Sequence, residues 1–136
     1  MRAQEIRLFQ GNRLLIMDDD QALLSVLTEY FESEGFTVDG VTSLEQAQEK
    51  LAHSRYDVVI ADLKLNEQIS DGGLRIAEML SQREEKPHLI LLTGQSGLGM
   101  LRDPRMRGLA AFVHKPVRLQ AIGTLVRSAC GGIACF

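Results

Sequence analysis

The sequence predicts an α/β fold in which a five-stranded parallel sheet is covered by helices on both faces. Two observations predict it. Short apolar runs alternate with amphipathic stretches along most of the 136 residues. The strongest runs are apolar throughout, as expected of parallel strands buried on both faces. Alternation of this kind is typical of a doubly wound, three-layer α/β sandwich with right-handed crossovers.

Five strands are predicted from the apolar runs. The third run, Val58 to Ala61, is apolar throughout and rich in β-branched residues, and the fourth run has the same apolar character. Neither run shows the alternation of a half-exposed strand, so both are predicted to lie inside the sheet. The predicted strands cover residues 14–17, 37–41, 58–61, 89–92 and 111–113.

Helices are predicted between the strands, and the first two have recognisable ends. Leu27 and Phe31 share one face of the first helix, and Gly35 is placed to end it. Ser43 and Gln46 form a capping-box pattern at the start of the second. Each helix therefore has both an apolar face and a local signal for one of its ends.

The remaining helical segments are less regular. A third helix is predicted after Gly73, and a last one over residues 119–129. Between them, residues 98–109 are predicted to hold a fourth helical segment. Pro104 lies inside this segment, where proline removes an amide donor and clashes with the preceding turn. The fold is therefore predicted to have an irregular fourth helix.

Bulk properties exclude several classes of protein. The hydrophobic fraction is 45% and the formal net charge is −3, which favours neither a nucleic acid nor an anionic membrane as partner. Cys130 and Cys135 are too few for a disulfide scaffold and are expected to be reduced thiols. No secretory signal and no apolar run of about 18 residues is present, so we expect a cytoplasmic protein.

Polar side chains follow four of the predicted strands. The first strand ends in Asp18 and Asp19, the third in Asp62, the fourth in Thr93 and the fifth in Lys115. Functional groups of open α/β sheets gather beyond the carboxyl ends of the strands. Three neighbouring carboxylates need a counter-charge, and Mg²⁺ accepts carboxylates together with water and phosphate oxygens.

These residue types suit phosphoryl transfer. The Asp62 carboxylate can attack phosphorus and hold it as an aspartyl phosphate. Lys115 provides a fixed positive charge, the Thr93 hydroxyl can donate a hydrogen bond, and Gly94 leaves room for the phosphoryl group. Positioning and charge neutralisation are most of what a protein contributes to this reaction.

Four sequence segments together resemble the receiver domain of two-component response regulators, which has a flavodoxin-like (βα)5 fold of the chemotaxis-receiver type. Each ends one of the predicted strands, and they occur in the family's order. The segments are residues 14–20, 57–65, 91–94 and 112–116. The resemblance implies an N-terminal extension over 1–12, a receiver domain over 13–130 and a C-terminal tail over 131–136.

The resemblance also implies roles for individual residues. Asp18 and Asp19 would bind Mg²⁺ together with Asp62, the phosphoacceptor, and the backbone carbonyl of Lys64. Thr93 and Lys115 would bind the phosphoryl oxygens, and the Lys115–Pro116 peptide bond would be cis. Thr93 and Phe112 would form the switch; because phenylalanine has no hydroxyl, its part would rest on packing.

The resemblance further implies the partners. The phosphoryl donor would be a histidine kinase or a histidine phosphotransfer protein, and the output an unknown protein or domain, with no nucleic-acid or membrane contact within this chain. The protein would catalyse its own phosphorylation and dephosphorylation without being an enzyme for an external substrate. Pro104 and a loop after Asp62 without the family's usual proline are departures from the pattern.

Two alternatives stay open at this stage. A receiver-like scaffold could bind proteins without being phosphorylated, which the irregular segment around Pro104 favours. A phosphatase with an aspartate nucleophile would need a second acid two residues after Asp62, where Lys64 stands. Among the site residues, Asp20 is expected to be only a helix cap, and Phe112 is expected to serve mainly in the core.

Overall fold

The computed structural model describes residues 12–64, 71–94 and 109–131 as five strands and four helices. Both kinds of element are numbered here in chain order. The strands are β1 Arg13–Met17, β2 Thr37–Val41, β3 Val58–Asp62, β4 His88–Thr93 and β5 Leu109–His114. The helices are α1 Gln21–Ser33, α2 Leu44–His53, α3 Gly72–Ser81 and α4 Leu119–Ala129.

The strands form a single parallel sheet with the order β2-β1-β3-β4-β5. The register pairs Leu14 with Val58 across β1 and β3, and Ile60 with Ile90 across β3 and β4. The chain moves from β1 to one edge and then returns to build the other, so the strand order reverses beside β1 and β3. Ligands of such sheets bind at this switch point. The predicted doubly wound fold is confirmed.

The core lies on both faces of the sheet because successive residues of each inner strand point to opposite sides. On one face, Leu15 and Val59 join a buried cluster with residues of α2 and α3. On the other, Ile16 and Ile60 join a cluster with residues of α1 and α4. This two-sided burial explains the uninterrupted apolar runs in the sequence.

The predicted helix signals act much as expected. Leu23 N–H donates to the Asp20 carboxylate at 3.1 Å, and Gly35 has a φ of 95° after α1 ends. At α2, Gln46 N–H donates to Ser43 Oγ at 3.2 Å. The side chain of Gln46 accepts from the backbone of Thr42 rather than from that of Ser43, so the capping box is shifted by one residue.

Two further points concern the helices. Helix α3 includes Gly72 and Gly73 in its first turn, whereas the sequence predicted that it would follow them. The predicted irregular segment around Pro104 lies outside the described residues. Across 12–64, 71–94 and 109–131, no helix is long and apolar enough to cross a bilayer.

Candidate functional site

Three carboxylates meet at the carboxyl edge of the sheet. Asp18 directly follows β1, Asp62 is the last residue of β3, and these strands are neighbours. One oxygen from each of Asp18, Asp19 and Asp62 lies within 4.8 Å of the others. Asp18 is further fixed by its backbone N–H, which donates to Val41 O of β2 at 3.1 Å.

The Asp18 carboxylate is fully buried. Its Oδ1 accepts a hydrogen bond from Asp20 N–H at 2.9 Å. Its Oδ2 lies 3.0 Å from Lys115 Nζ, but no donor in the described part of the chain is aligned to form a hydrogen bond with this oxygen. A buried carboxylate oxygen held only by charge attraction is suited to bind a further cation.

The Asp62 carboxylate is also buried, with two contacts on its oxygens. Oδ1 accepts from Lys64 N–H at 3.2 Å, and Oδ2 accepts from Lys115 Nζ at 3.0 Å. Burial raises the pKa of Asp62 to about 6; the hydrogen bond from Lys115 opposes this rise, and the negative charge of Asp18 adds to it. Without further positive charge, Asp62 therefore ionises only as the pH rises through about 6.

Lys115 bridges the two buried carboxylates. Its Nζ is 3.0 Å from both Asp18 Oδ2 and Asp62 Oδ2. Burial by itself would lower the pKa of Lys115, but its interactions with the two carboxylates outweigh that effect and raise it. The Lys115 backbone N–H donates to Thr93 O at 2.8 Å, and the Lys115–Pro116 peptide bond is cis.

Thr93 ends β4, the neighbour of β3, and Phe112 lies on β5, the edge strand beyond β4. Thr93 is buried, and its hydroxyl donates to Gly94 O at 3.2 Å. A Cβ added at the following residue, Gly94, would meet nothing within 4 Å. Phe112 pairs in register with Leu91 and is partly buried against the core under α2 and α3. Thr93 is two residues after Leu91 on β4, so the two side chains point to the same face of the sheet. The Phe112 ring therefore lies on the face that carries Thr93.

The residues present fit a magnesium ion. Magnesium prefers hard oxygen ligands and is commonly held by one or two carboxylates, with water and phosphate completing its shell. The buried pair Asp18 and Asp62 and the exposed Asp19 offer this donor set, and Asp18 Oδ2 lacks an aligned hydrogen-bond donor within the described residues. The Lys64 side chain is exposed, and its backbone N–H rather than its side chain touches Asp62.

One supporting residue was missed from the sequence. Gly73 donates its backbone N–H to Leu63 O at 3.2 Å, which ties the start of α3 to the residue after Asp62. A Cβ at this position would lie 2.7 Å from Leu91 Cδ2 and 2.9 Å from Leu63 Cα. The Gly72-Gly73 pair was the available signal, although in the sequence it indicated only where a helix begins.

Comparison with known proteins identifies similar sequences. The profile of the response regulator receiver domain family matches residues 14–127. The transcriptional regulatory protein GlrR of Escherichia coli is 31% identical over 109 residues, which are 80% of this chain and 24% of GlrR. The sporulation initiation phosphotransferase F of Bacillus subtilis is 24% identical over 117 residues, covering 86% of this chain and 92% of that protein.

Solved structures share the fold. A receiver domain protein from Methanospirillum hungatei superposes with a TM-score of 0.78 at 22% identity, covering 89% of this chain and 94% of that one. The response regulator TrrA of Thermotoga maritima, solved in complex with Mg²⁺ and BeF, gives 0.71 at 24% identity, with 87% and 98% covered. The match to the alginate biosynthesis transcriptional regulatory protein AlgB of Pseudomonas putida covers only 22% of the length of AlgB.

Proposed function

Because this chain belongs to the response regulator receiver domain family, we propose that it is a phosphorylation switch in which Asp62 accepts a phosphoryl group. The donor would be a histidine kinase or a histidine phosphotransfer protein. The observation that carries the proposal is the buried pair of carboxylates, Asp18 and Asp62, bridged by Lys115 Nζ at 3.0 Å from each. A domain that needed only to fold would gain little from burying two carboxylates side by side.

The metal site would consist of Asp18, Asp19, Asp62 and the backbone carbonyl of Lys64. When bound there, Mg²⁺ supplies positive charge next to Asp62 and the incoming phosphoryl oxygens. The pKa of Asp62, about 6 in the metal-free site, makes this charge important, because the nucleophile must be ionised to attack. Asp18 Oδ2, which has no aligned hydrogen-bond donor among the described residues, supports the assignment.

The reaction uses groups that the fold already holds in place. A carboxylate oxygen of Asp62 forms a bond to phosphorus while the bond from phosphorus to the donor's imidazole nitrogen breaks, and the nitrogen leaves with the electron pair. Lys115 exchanges part of its contact with Asp62 for the phosphoryl oxygens, and the Thr93 hydroxyl turns from Gly94 O to donate to one of them. Charge neutralisation and alignment are the main contributions to such transfers.

The same site would control a switch. Movement of Thr93 toward the phosphoryl group would vacate space on the sheet face where Phe112 is partly buried. The Phe112 ring would then repack, and the surface around β5 would change for a partner protein or an output domain. Because the ring has no hydroxyl, the switch would act through packing alone.

The wider setting is part of the proposal. We infer a receiver domain over 13–130, between an extension over 1–12 and a tail over 131–136, acting in the cytoplasm where its kinase is. The chain would contact proteins rather than nucleic acid or membrane, and would turn over no external substrate. GlrR and AlgB, which are transcriptional regulatory proteins, are several times longer than this chain.

Phosphorylation of the purified protein tests the proposal. We expect incubation with acetyl phosphate and Mg²⁺ to add one phosphoryl group by mass spectrometry, and chelation of the metal to prevent it. Asp62→Asn should remove the adduct while circular dichroism stays unchanged. Asp19→Ala, at an exposed position, should keep the fold but weaken Mg²⁺ binding.

Two outcomes would contradict parts of the proposal. Normal Mg²⁺ affinity in Asp19→Ala would remove this residue from the metal site. Absence of any adduct, with Mg²⁺ bound normally and with beryllium fluoride also failing to bind, would favour a binding module that works without phosphorylation.

A further inference from the structure

A second polar cavity opens at the opposite edge of the sheet, where the strands begin. It is formed by the start of β1, the turns that lead into β3 and β4, and the end of α4. Its volume is about 570 Å³, within the range of small-molecule sites. The phosphorylation site proposed above lies at the carboxyl ends of the same strands, so the two sites share no residue.

The cavity is positively charged, in contrast to the chain as a whole. Four permanent cations and two carboxylates line it, although the full sequence carries a net charge of −3. The cations are Arg13, Arg55, Arg83 and Lys86; the carboxylates are Asp57 and Glu85. The opposite edge of the sheet carries the cluster of three carboxylates described above.

Both carboxylates in the cavity are already engaged. Asp57 Oδ2 accepts from the backbone N–H of Arg13 at 2.7 Å, and Glu85 forms an ion pair with Arg55. The Arg13 guanidinium pairs with Asp39 at 3.5 Å, outside the cavity. The excess positive charge of the lining therefore rests on Arg83 and Lys86, in the turn that leads from α3 into β4; Glu84 of the same turn does not line the cavity.

In this turn, residues 83–88, several side-chain N–H donors have no acceptor among the described residues. Arg83 uses a guanidinium nitrogen on Leu51 O, which fixes the group and leaves its other N–H donors available. Within the described residues, the side chains of Lys86 and His88 have no hydrogen-bond or ion-pair partner. Cations here also complement the carboxyl end of α2. That effect accounts for Arg83, which binds an α2 carbonyl directly, but not for Lys86 or His88.

We propose that this cavity binds a small polyanion carrying two or more phosphate or carboxylate groups. The Arg83 guanidinium would bind one group through its planar fork, and Lys86 and His88 would bind the other. The concave shape favours a small molecule over an extended acidic peptide. Because the chain enters β1 at Asn12 and leaves α4 at Cys130 beside the cavity, a bound ligand would contact both ends of the domain.

The test is a titration of the isotopically labelled protein in metal-free buffer, with pyrophosphate in one arm and citrate in the other. We expect amide signals of residues 83–88 to shift saturably, with a dissociation constant of about 1 mM or tighter, and binding to weaken as salt is added. The two arms separate phosphate from carboxylate ligands. Phosphorylation is not involved, so the result is independent of the proposed function.

A matched pair of variants decides whether the cavity is responsible. Lys86→Gln should weaken binding about threefold or more. Lys50→Gln makes the same charge change at an exposed position of α2 outside the cavity and should leave affinity unchanged. Equal affinities in the two variants, shifts confined to the neighbourhood of Lys115, or no saturable binding in either arm would each overturn the proposal.

Discussion

Three consecutive aspartates occupy three different environments, and their functions should differ accordingly. Asp18 is fully buried and Asp19 is exposed, whereas Asp20 accepts a hydrogen bond from Leu23 N–H at the start of α1. We predict that Asp20→Ala lowers the free energy of unfolding by about 1 kcal/mol, the usual cost of losing an N-cap. Mg²⁺ affinity, measured by calorimetry, should stay the same. Asp20→Asn keeps a capping oxygen and serves as the control; a large loss of Mg²⁺ affinity in either variant would place Asp20 in the metal site.

Asp62 should destabilise the metal-free protein near neutral pH. Its folded-state pKa of about 6 is above the ordinary value of 3.8, so its contribution to stability is fully present below pH 3.8 and is lost as the pH rises through about 6. We predict that Asp62→Asn raises the free energy of unfolding at neutral pH without metal by roughly 1 kcal/mol, since Lys115 and solvent screen part of the charge. Urea denaturation measures this.

The control for this prediction is a charge removed from the surface. Glu49→Gln neutralises an exposed carboxylate of α2 and should change the unfolding free energy by less than about 0.5 kcal/mol. In excess Mg²⁺ the wild type should instead have a higher unfolding free energy than Asp62→Asn, because only the wild type gains the full free energy of Mg²⁺ binding. If Asp62→Asn were less stable than wild type without metal, the buried carboxylate would be a net stabilising partner of Lys115.

Lys115 should matter to phosphorylation more than to metal binding. In Lys115→Met the side chain keeps much of its length, but the buried carboxylates of Asp18 and Asp62 face each other without the cation between them. We predict a loss of about 2 kcal/mol in unfolding free energy without metal. Mg²⁺ affinity should be equal or higher, while the rate of phosphorylation by acetyl phosphate falls at least about tenfold. A parallel loss of Mg²⁺ affinity would contradict this separation of roles.

At the scale of elements, the close approach of α3 to β3 supports the site. Alanine normally favours a helix over glycine, but a Cβ at Gly73 would lie 2.9 Å from Leu63 Cα, a backbone atom that cannot rotate away. We predict that Gly73→Ala lowers the free energy of unfolding by about 1–3 kcal/mol, despite the better helix propensity. Gly94→Ala, where a Cβ meets nothing within 4 Å, is the matched control. Thermal denaturation compares the two; equal stability would show that α3 shifts without cost.

Sequence patterns predicted the elements well where local chemistry decides them. The predicted 37–41 strand has the same bounds as β2, and Asp20 and Gly35 mark the ends of α1. The last strand was predicted too short, because Leu109 was assigned to the helical segment 98–109 and the strand to residues 111–113, whereas β5 spans Leu109–His114. Its end residue His114 pairs in register with Thr93, and a sheet partner is not visible in a local apolar pattern.

Contacts between distant segments could not be predicted from the sequence. Tyr56 donates a 2.6 Å hydrogen bond to Asp39 and stacks under the Arg13 guanidinium, which joins β1, β2 and the turn before β3. Burial and the hydrogen bond to Asp39 raise the pKa of Tyr56 to about 12. None of these residues forms a motif, since the cluster depends on strand order and register. The proximity of Asp18, Asp19 and Asp62 could be predicted, because these carboxylates lie at the ends of strands and all parallel strands end at one edge of the sheet.

At the scale of the whole molecule, metal binding should be linked to both pH and stability. Binding of Mg²⁺ requires Asp62 to be ionised, so protons compete with the metal below a pH of about 6. We predict that Mg²⁺ raises the melting temperature clearly at about pH 7.5 and much less at about pH 5, with the affinity falling toward tenfold per pH unit below the pKa. In Asp62→Asn the affinity should be weak and should lose this part of its pH dependence. An affinity that stays constant from about pH 7.5 to about pH 5 would show that Asp62 is ionised throughout, and that Lys115 alone compensates for its burial.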